Sequence, residues 1–323
     1  MKKNFICYVL AVAVVGFSSC ELGEKPNKPD NEQTDPDDDS PATIPENMET
    51  AFPDPIFRAY VLDNFDSDHN GQLSQEEALN VIRIEVGNNH NTPDSDKITS
   101  LKGIQYFVNL EYLDCSYNLI DAYVSHNTAL TYLDCSHNHL THLDVMQNTE
   151  LSYLDCSNNR LTEWVEVSKN TELVYLDCSD NQLTHLDVSH NPELTELDCS
   201  DNHLRSLDLT QNTKLIKFSC ASNQFTDLNF INNTVLTELD CSDNQLRGLD
   251  LTTNSALTIL CCHSNPFTSL DISNTNLNGG TLKCAPMDTF EVLYLKTGWD
   301  IYGITTDRSS EYIPEHTEIE FVD

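Results

Sequence analysis

The sequence predicts a mainly β solenoid, in which successive turns of the chain stack on one another and pair their strands in parallel. A cysteine recurs every 20 to 22 residues from Cys115 to Cys284, and an asparagine follows three residues later in each turn as far as Asn265. Apolar and polar residues alternate within each turn, as in the Tyr-Leu-Asp-Cys of 112–115, so one set of side chains faces the core and the other faces outward. Self-similarity at a short fixed period is typical of stacked, equivalent coils.

The recurring cysteine and asparagine have different predicted roles. The cysteines face inward at one per coil, where a free thiol packs as a small hydrophobe. Because these side chains point the same way in every coil, their mutual orientation disfavours disulfides. Cys261 replaces an outward aspartate and is expected to be an exposed thiol. The asparagines lie where each strand turns away, and their amides are expected to satisfy buried backbone groups of neighbouring coils.

The pattern LxxLxCxxNxL followed by xxLDVSxNxx resembles the leucine-rich-repeat family. More narrowly, it looks like the short bacterial repeats of 21 residues known as IRREKO repeats, and the resemblance covers about 98–282. Residues 98–110 look like the first repeat of the internalin type. A coil of this length leaves no room for a convex helix, so we expect extended chain on both sides of a solenoid spanning 98–284.

The segment 285–323 is expected to cap the last coil. A short helix is predicted around Phe290, Leu293 and Trp299, and a closing strand is predicted in the tail 311–323. A cap is expected because an uncovered final coil would present an edge that invites aggregation.

An acidic loop, DSDHNGQLSQEE at 66–77, precedes the repeats. Oxygen ligands fall at loop positions 1, 3, 5, 7, 9 and 12, with Gly71 at position 6, where the backbone must turn sharply. The ligands are Asp66, Asp68, Asn70, Gln72 through its backbone carbonyl, Ser74 and Glu77. The loop resembles an EF-hand over all twelve positions, which implies that it binds Ca²⁺.

The residues on both sides of this loop favour a helix-loop-helix cap over 47–97. Phe57, Val61 and Phe65 repeat every four residues in the entering helix, and Ala78, Leu79 and Ile82 are assigned to the exiting helix. EF-hands usually work in pairs, but this sequence has one loop. Leu73 is therefore expected to pack against the first coil, so that calcium stiffens a structural cap.

The N-terminal segment is predicted to be an export signal. Residues 1–19 have two lysines followed by an apolar stretch that is short for a membrane span, and Cys20 follows two serines. This resembles a bacterial lipoprotein signal, which implies lipidation at Cys20 and anchoring in the outer membrane, at the cell surface. The alternative is an ordinary secretory signal. Residues 20–46 are rich in Pro and Asp and predict a disordered acidic linker.

Composition excludes some functions and favours others. The formal net charge is −35 with no basic patch, which excludes nucleic-acid binding and leaves the lipid anchor as the only membrane contact. No GxSxG, HExxH, phosphate loop or dinucleotide fingerprint is present, so the chain is predicted not to be an enzyme. We expect a monomer.

The outward columns of the first strand are the candidate binding surface. They consist of the tyrosines Tyr112, Tyr132, Tyr153 and Tyr175 and the aspartates Asp114, Asp134, Asp155 and Asp177. An amphipathic stripe of this kind suits a protein partner. The alternatives are a glycan-binding accessory of polysaccharide uptake, with sugars stacked on the tyrosines, and a purely structural envelope protein in which the tyrosines only stabilise the sheet.

A second aspartate ladder is predicted in the other half of the coils. Its members are Asp144, Asp187, Asp208, Asp250 and Asp271. These carboxylates are expected to be solvated and to accept hydrogen bonds from the Ser or Thr that follows.

Overall fold

The structure is a computed structural model that describes residues 43–120, 126–284, 291–299 and 317–322. The described residues belong to one compact unit, which spans 41–323. The predicted signal segment, Cys20 and linker residues 20–42 lie outside the described residues. Within the described residues, no helix has the length and hydrophobicity needed to cross a membrane.

Three short helices begin the described chain: α1 (Met48–Ala51), α2 (Pro55–Phe65) and α3 (Gln75–Leu79). Asp54 caps α2 by accepting the N–H groups of Ile56 and Phe57. Ser74 and Glu77 form a capping box at the start of α3.

The exiting helix is shorter than the sequence predicted. It ends at Leu79, so the assignment of Ile82 to this helix is wrong. Ile82 lies just before a strand and is 54% exposed. The chain leaves α3 at Asn80 because the residues from Arg83 onward pair with the sheet.

Strands and turns of the 3₁₀ type make up the rest of the described regular structure. The 3₁₀ turns are Asp94–Asp96 and Ile104–Tyr106. The strands are β1 (Arg83–Glu85), β2 (Tyr112–Asp114), β3 (Tyr132–Asp134), β4 (Tyr153–Asp155), β5 (Thr162–Glu163), β6 (Tyr175–Asp177), β7 (Gln182–Leu183), β8 (Glu196–Asp198), β9 (Lys217–Ser219), β10 (Glu238–Asp240), β11 (Ile259–Cys261), β12 (Ser269–Asp271), β13 (Thr281–Lys283), β14 (Val292–Lys296) and β15 (Glu318–Val322).

The main sheet has ten parallel strands in the order β1-β2-β3-β4-β6-β8-β9-β10-β11-β13. Equivalent repeat positions pair directly, so Tyr112 lies opposite Tyr132 and Asp114 opposite Asp134. Each repeat position therefore forms a column along the stack, which confirms the predicted solenoid. The sheet begins at β1, inside the segment assigned to the cap.

The second half of each coil is extended chain with little strand pairing. The two-residue strands β5 and β7 pair in parallel, and one bridge joins Asp144 to Glu166. No helix occurs in the described parts of 107–284. The expectation of little convex helix is confirmed for these residues.

The C-terminal segment forms strands, and the helix predicted there is wrong. Leu293 lies in β14, which pairs with β12 on one side and β15 on the other. Leu293 and Leu295 are both fully buried, and a two-residue alternation of buried positions fits a strand but not a helix. Strand β15 confirms the predicted closing strand. Phe290 lies outside the described residues.

The cysteine column is buried in the core. The nine column members, Cys115, Cys135, Cys156, Cys178, Cys199, Cys220, Cys241, Cys262 and Cys284, are all buried, and those from Cys115 to Cys262 are free thiols. Desolvation raises the pKa of these thiols; it reaches about 12 at Cys284, so they stay protonated at neutral pH. Cys261 is half-buried, less exposed than the sequence predicted.

The asparagine column closes each turn as predicted. Asn202 shows the pattern: its Nδ2 donates to the carbonyls of Cys178, Cys199 and Ser200, and its Oδ1 accepts the N–H of Leu183. One side chain thereby satisfies four backbone groups in two coils. The residue before each asparagine has a left-handed backbone, with φ of 51° to 54°, a conformation that Asn and Asp tolerate best after glycine.

A second column of asparagines is fully buried in the other half of the coils. Its described members are Asn127, Asn148, Asn170, Asn191, Asn212, Asn233 and Asn254. In Asn191, Nδ2 donates to the carbonyls of Val167 and Asn170 in the preceding coil. Both halves of each coil are therefore tied to the coil before by buried amides.

Replacing Asn202 with alanine is expected to lower the free energy of unfolding by about 3 kcal/mol or more, because it leaves several buried backbone groups unpaired at about 1–3 kcal/mol each. Urea unfolding followed by circular dichroism measures this change. His203→Ala is the matched control, since His203 is the exposed neighbour and its loss should change stability by no more than about 0.5 kcal/mol. Equal effects of the two changes would contradict the proposed role of the column.

Candidate functional site

The main sheet presents one outward face on which two columns run side by side. We call the residues Tyr112, Tyr132, Tyr153, Tyr175, Asp114, Asp134, Asp155 and Asp177 the Tyr–Asp face. All eight are half-buried, and they come from the first and third positions of β2, β3, β4 and β6. The structure therefore brings together every residue predicted for this surface.

The four tyrosines form one continuous stack. Their ring centroids are 4.1, 4.2 and 4.3 Å apart along the stack, with interplanar angles of 9°, 8° and 5°. The ring faces inside the stack are occupied by neighbouring rings, so along its length the stack presents ring edges and hydroxyl groups to solvent. Burial raises the pKa of Tyr132, Tyr153 and Tyr175, which keeps these phenols neutral.

Arg83 caps the stack at its N-terminal end. Its guanidinium carbon lies 3.4 Å from the centroid of Tyr112, a cation–π contact, and its side chain pairs with Glu85. Sequence reasoning missed this residue. The segment 83–86 reads Arg-Ile-Glu-Val, the same outward–inward alternation as 112–115, and this was the signal that could have revealed β1.

The aspartates of the Tyr–Asp face are held by local hydrogen bonds. In each case Oδ1 accepts from both the N–H and the hydroxyl of the serine two residues later, as in Asp155 with Ser157 at 3.0 and 2.7 Å. The same pair recurs at 114/116, 134/136 and 177/179. These bonds fix the carboxylates in one orientation along the column.

The stacked carboxylates are electrostatically strained. Desolvation by burial raises the pKa of Asp155 to about 7, and repulsion from Asp177 and Asp134 adds to the shift against the hydrogen bonds from Ser157. Burial likewise raises the pKa of Asp134 and Asp198. Asp155 is therefore partly protonated near neutral pH.

The second aspartate ladder behaves differently because it is exposed. Asp187, Asp208, Asp250 and Asp271 each accept the N–H of the Ser or Thr two residues later, as predicted. Asp144 accepts from the N–H of Met146 instead. Hydrogen bonds from Ser189 lower the pKa of Asp187, so the Asp187 carboxylate is ionised at neutral pH.

The acidic loop brings its predicted carboxylates together. Ligand oxygens of Asp66, Asp68 and Glu77 lie within 4.8 Å of one another. Asp66 is 6% exposed and accepts the N–H groups of Asn70 and Gly71 at 3.1 and 2.8 Å. Gly71 has φ of +79°, which favours glycine there.

The remaining predicted ligands lie in the same loop. Asn70 donates to Asp68 through Nδ2 and accepts the N–H of Gln72 through Oδ1. Ser74 donates to Glu77, and these bonds, together with those from Ser67, lower the pKa of Glu77 to about 2. Three carboxylates whose oxygens lie this close together fit a hard divalent cation such as Ca²⁺.

Replacing Asp155 with asparagine is expected to stabilise the protein at pH 8. The folded pKa of about 7 lies above the unfolded value of about 3.9, so this carboxyl lowers the stability of the fold progressively as the pH rises from about 4 to 7, and the penalty is complete above pH 7. The full pKa shift corresponds to about 4 kcal/mol, and solvent screening at this partly exposed position reduces the expected gain at pH 8 to about 1 kcal/mol, or about 2–4 °C in Tm. Thermal unfolding between pH 5 and 8 measures it.

Asp187→Asn is the matched control for Asp155→Asn. The pKa of Asp187 is lowered, so its ionised form is stabilising and this change should not raise the Tm at pH 8. A gain from Asp155→Asn that persisted unchanged at pH 5 would contradict the assignment of strain to this carboxylate.

Comparison with known proteins finds similarity at the level of structure. No family model matches the chain, and no curated protein matches it. The chain is similar to the functional domain of InlJ from Listeria monocytogenes, which includes a cysteine ladder, with 32% identity over 79% of this chain and 58% of that chain and a TM-score of 0.59. It thus spans less than two thirds of that structure.

Two further structures share the fold at lower identity. A leucine-rich-repeat protein of Leptospira interrogans is 21% identical over 77% of this chain and 63% of that chain, with a TM-score of 0.57. Internalin C2 from Listeria monocytogenes is 22% identical over 68% of this chain and 98% of that chain, also with a TM-score of 0.57. The chain has the leucine-rich-repeat fold, with coils of about 21 residues.

Proposed function

We propose that this protein recognises another protein through the Tyr–Asp face, as a lipid-anchored protein of the bacterial cell surface. The stack of four tyrosines carries the proposal. Its rings are held parallel by one another and by Arg83, so the side chains lose little further conformational freedom on binding. Aromatic side chains of this kind dominate the energy of protein interfaces.

The fold supports the same function. Structural neighbours of this chain are leucine-rich-repeat proteins, including internalins, and this fold suggests recognition or adhesion. Attachment at Cys20 rests on the sequence of the export signal. A linker of 20–46 would hold the recognition surface away from the membrane.

The glycan alternative is less well supported by the geometry. Stacking of a sugar needs an open aromatic face, but the inner ring faces are covered by neighbouring rings and Arg83 covers the outer face of Tyr112, so the stack leaves the outer face of Tyr175 alone for such a contact. The stack offers edges and hydroxyls, which suit a protein surface with hydrogen-bonding groups. Protein recognition is therefore the preferred function.

Replacing Tyr132 or Tyr153 with alanine is expected to weaken partner binding by at least tenfold, because it opens a gap in the middle of the stack. A screen of the purified protein against protein and glycan libraries identifies the partner, and titration calorimetry measures the change. Trp164→Ala is the control, since Trp164 is an exposed aromatic residue in the loop after β5 and should be dispensable.

Tyr132→Phe separates contact from stability. It keeps the ring stack and removes one hydroxyl, so partner binding should fall with little change in Tm. The proposal is wrong if the partner binds the alanine variants as tightly as it binds the native protein. A partner found only among glycans would favour the alternative.

The acidic loop is proposed to hold one structural Ca²⁺ ion. Asp66, Asp68 and Glu77 would ligate it with Asn70, Ser74 and the carbonyl of Gln72, and the ion would neutralise their charge. The loop is close to the first coil: Phe65, just before Asp66, packs edge-on against Phe107 with centroids 5.6 Å apart, and Leu73 is 4% exposed within the common core. Calcium is thus proposed to stiffen the cap.

Chelation is expected to lower the Tm of the whole protein, and added Ca²⁺ to restore it. A ligand present at one hundred times its Kd stabilises the folded state by about 2.7 kcal/mol. Glu77→Gln should abolish the response to Ca²⁺, whereas Asp96→Asn, an exposed acid outside the loop, should retain it. An identical Tm with and without chelator would rule out a stabilising ion.

A further inference from the structure

The coil that contains β9 departs from the repeat at three outward positions. Lys217 replaces the tyrosine or glutamate of the first column, and Ser219 replaces the aspartate of the second column. Ala221 replaces the serine whose hydroxyl elsewhere binds that aspartate. In the coils on either side, Asp198 with Ser200 and Asp240 with Ser242 keep the usual pair.

Ser219 and Ala221 are smaller than the aspartate and serine that they replace, and a recess lies over this part of the sheet. A cavity of about 350 Å³ lies over β8 to β11, and Phe218 and Leu239 contribute to its lining. Tyr175 and Ile259 line its two ends along the stack. Ile259 and Cys261 in β11 also replace the usual polar pair, so that end of the recess is largely apolar. We call this cavity the β9 recess.

The charges around the β9 recess are unbalanced. Its lining includes the carboxylates of Glu196, Asp198, Glu238 and Asp240. Lys217 is the one cationic residue in the lining, and its Nζ lies 3.5 Å from Glu196. The lining therefore has a formal charge of −3 when all groups are ionised.

The spacing of the carboxylates suits a single cationic group. Asp198 and Asp240 are two strands apart, which is about 10 Å at the usual strand separation, with Ser219 between them. A guanidinium or ammonium group above Ser219 would lie about 5 Å from each carboxylate. The apolar end formed by Ile259 and Cys261 can accommodate the aliphatic stem of the same side chain.

We propose that the β9 recess binds an arginine or lysine side chain of the partner protein. This inference rests on the proposed function, because it names the chemistry by which that partner is anchored. The Tyr–Asp face supplies the aromatic contact area, and the recess next to Tyr175 supplies a charged anchor. Charge complementarity selects a basic partner segment, as expected for a face with this excess of carboxylates.

The test uses a fluorescein-labelled peptide in which four arginines alternate with glycines, and its fluorescence anisotropy with the full-length protein at a fixed salt concentration. A peptide with citrulline in place of arginine is the neutral control. The native protein is expected to bind the arginine peptide at least tenfold more tightly. Failure of the native protein to discriminate between the peptides would overturn the inference.

The double variant Ser219→Asp/Ala221→Ser distinguishes the recess from general attraction to an acidic protein. It restores the repeat residues, fills the recess and makes the protein more negative by up to one charge. The recess predicts at least tenfold weaker binding of the arginine peptide. General attraction predicts equal or tighter binding, and that result would overturn the proposal. Because the variant restores the repeat, it should keep the native fold, which circular dichroism checks, while repulsion within the restored aspartate column is expected to lower its Tm.

Two matched controls complete the design. Ser206→Asp adds the same charge at an exposed position outside the recess and should leave binding unchanged. Asp240→Asn should weaken binding, whereas Asp208→Asn, with the same loss of charge on the second ladder, should not. If Tyr132→Ala abolishes partner binding but the double variant leaves both partner and peptide binding intact, the proposed function stands and the recess inference fails.

Discussion

The buried hydrogen bonds of the asparagine columns hold this structure together, and most other features depend on them. A coil of about 21 residues turns twice, and each turn leaves backbone groups that water cannot reach. The amides of residues such as Asn202 and Asn191 bind those groups in their own coil and in the coil before. Because every coil uses the same bond, the coils are held in one register along the described sheet.

That common register places identical side chains directly over one another, with favourable and unfavourable results. Tyrosines in register stack face to face. Buried thiols fill the core as small hydrophobic groups that need no strong hydrogen-bond partner. Aspartates in register repel one another, and burial raises the pKa of Asp155 to about 7. The Tyr–Asp face is thus a rigid surface on which stacked tyrosines lie beside aspartates that repel one another. A partner protein with basic groups can bind such a surface.

Departures from the repeat are where this surface becomes specific. Arg83 begins the tyrosine stack, and the β9 coil interrupts the aspartate column with a serine. A perfectly regular solenoid would present the same contact at every coil and would define no single place for a partner. The irregular strands β1 and β9 mark the two limits between which the Tyr–Asp face lies.

The sequence by itself determined the solenoid, the direction of each column and the grouping of carboxylates in the acidic loop, because these follow from a fixed period and from local spacing. The tertiary structure decided the features that depend on which coils meet. It placed the segment from Arg83 into the sheet and made β14 a strand, since available pairing partners outweighed the weak local preference for helix. It also stacked the tyrosine rings on one another and left the β9 recess between neighbouring carboxylates. Both depend on the distance between side chains in adjacent coils, which is set by the stacking and not by the sequence of any one coil.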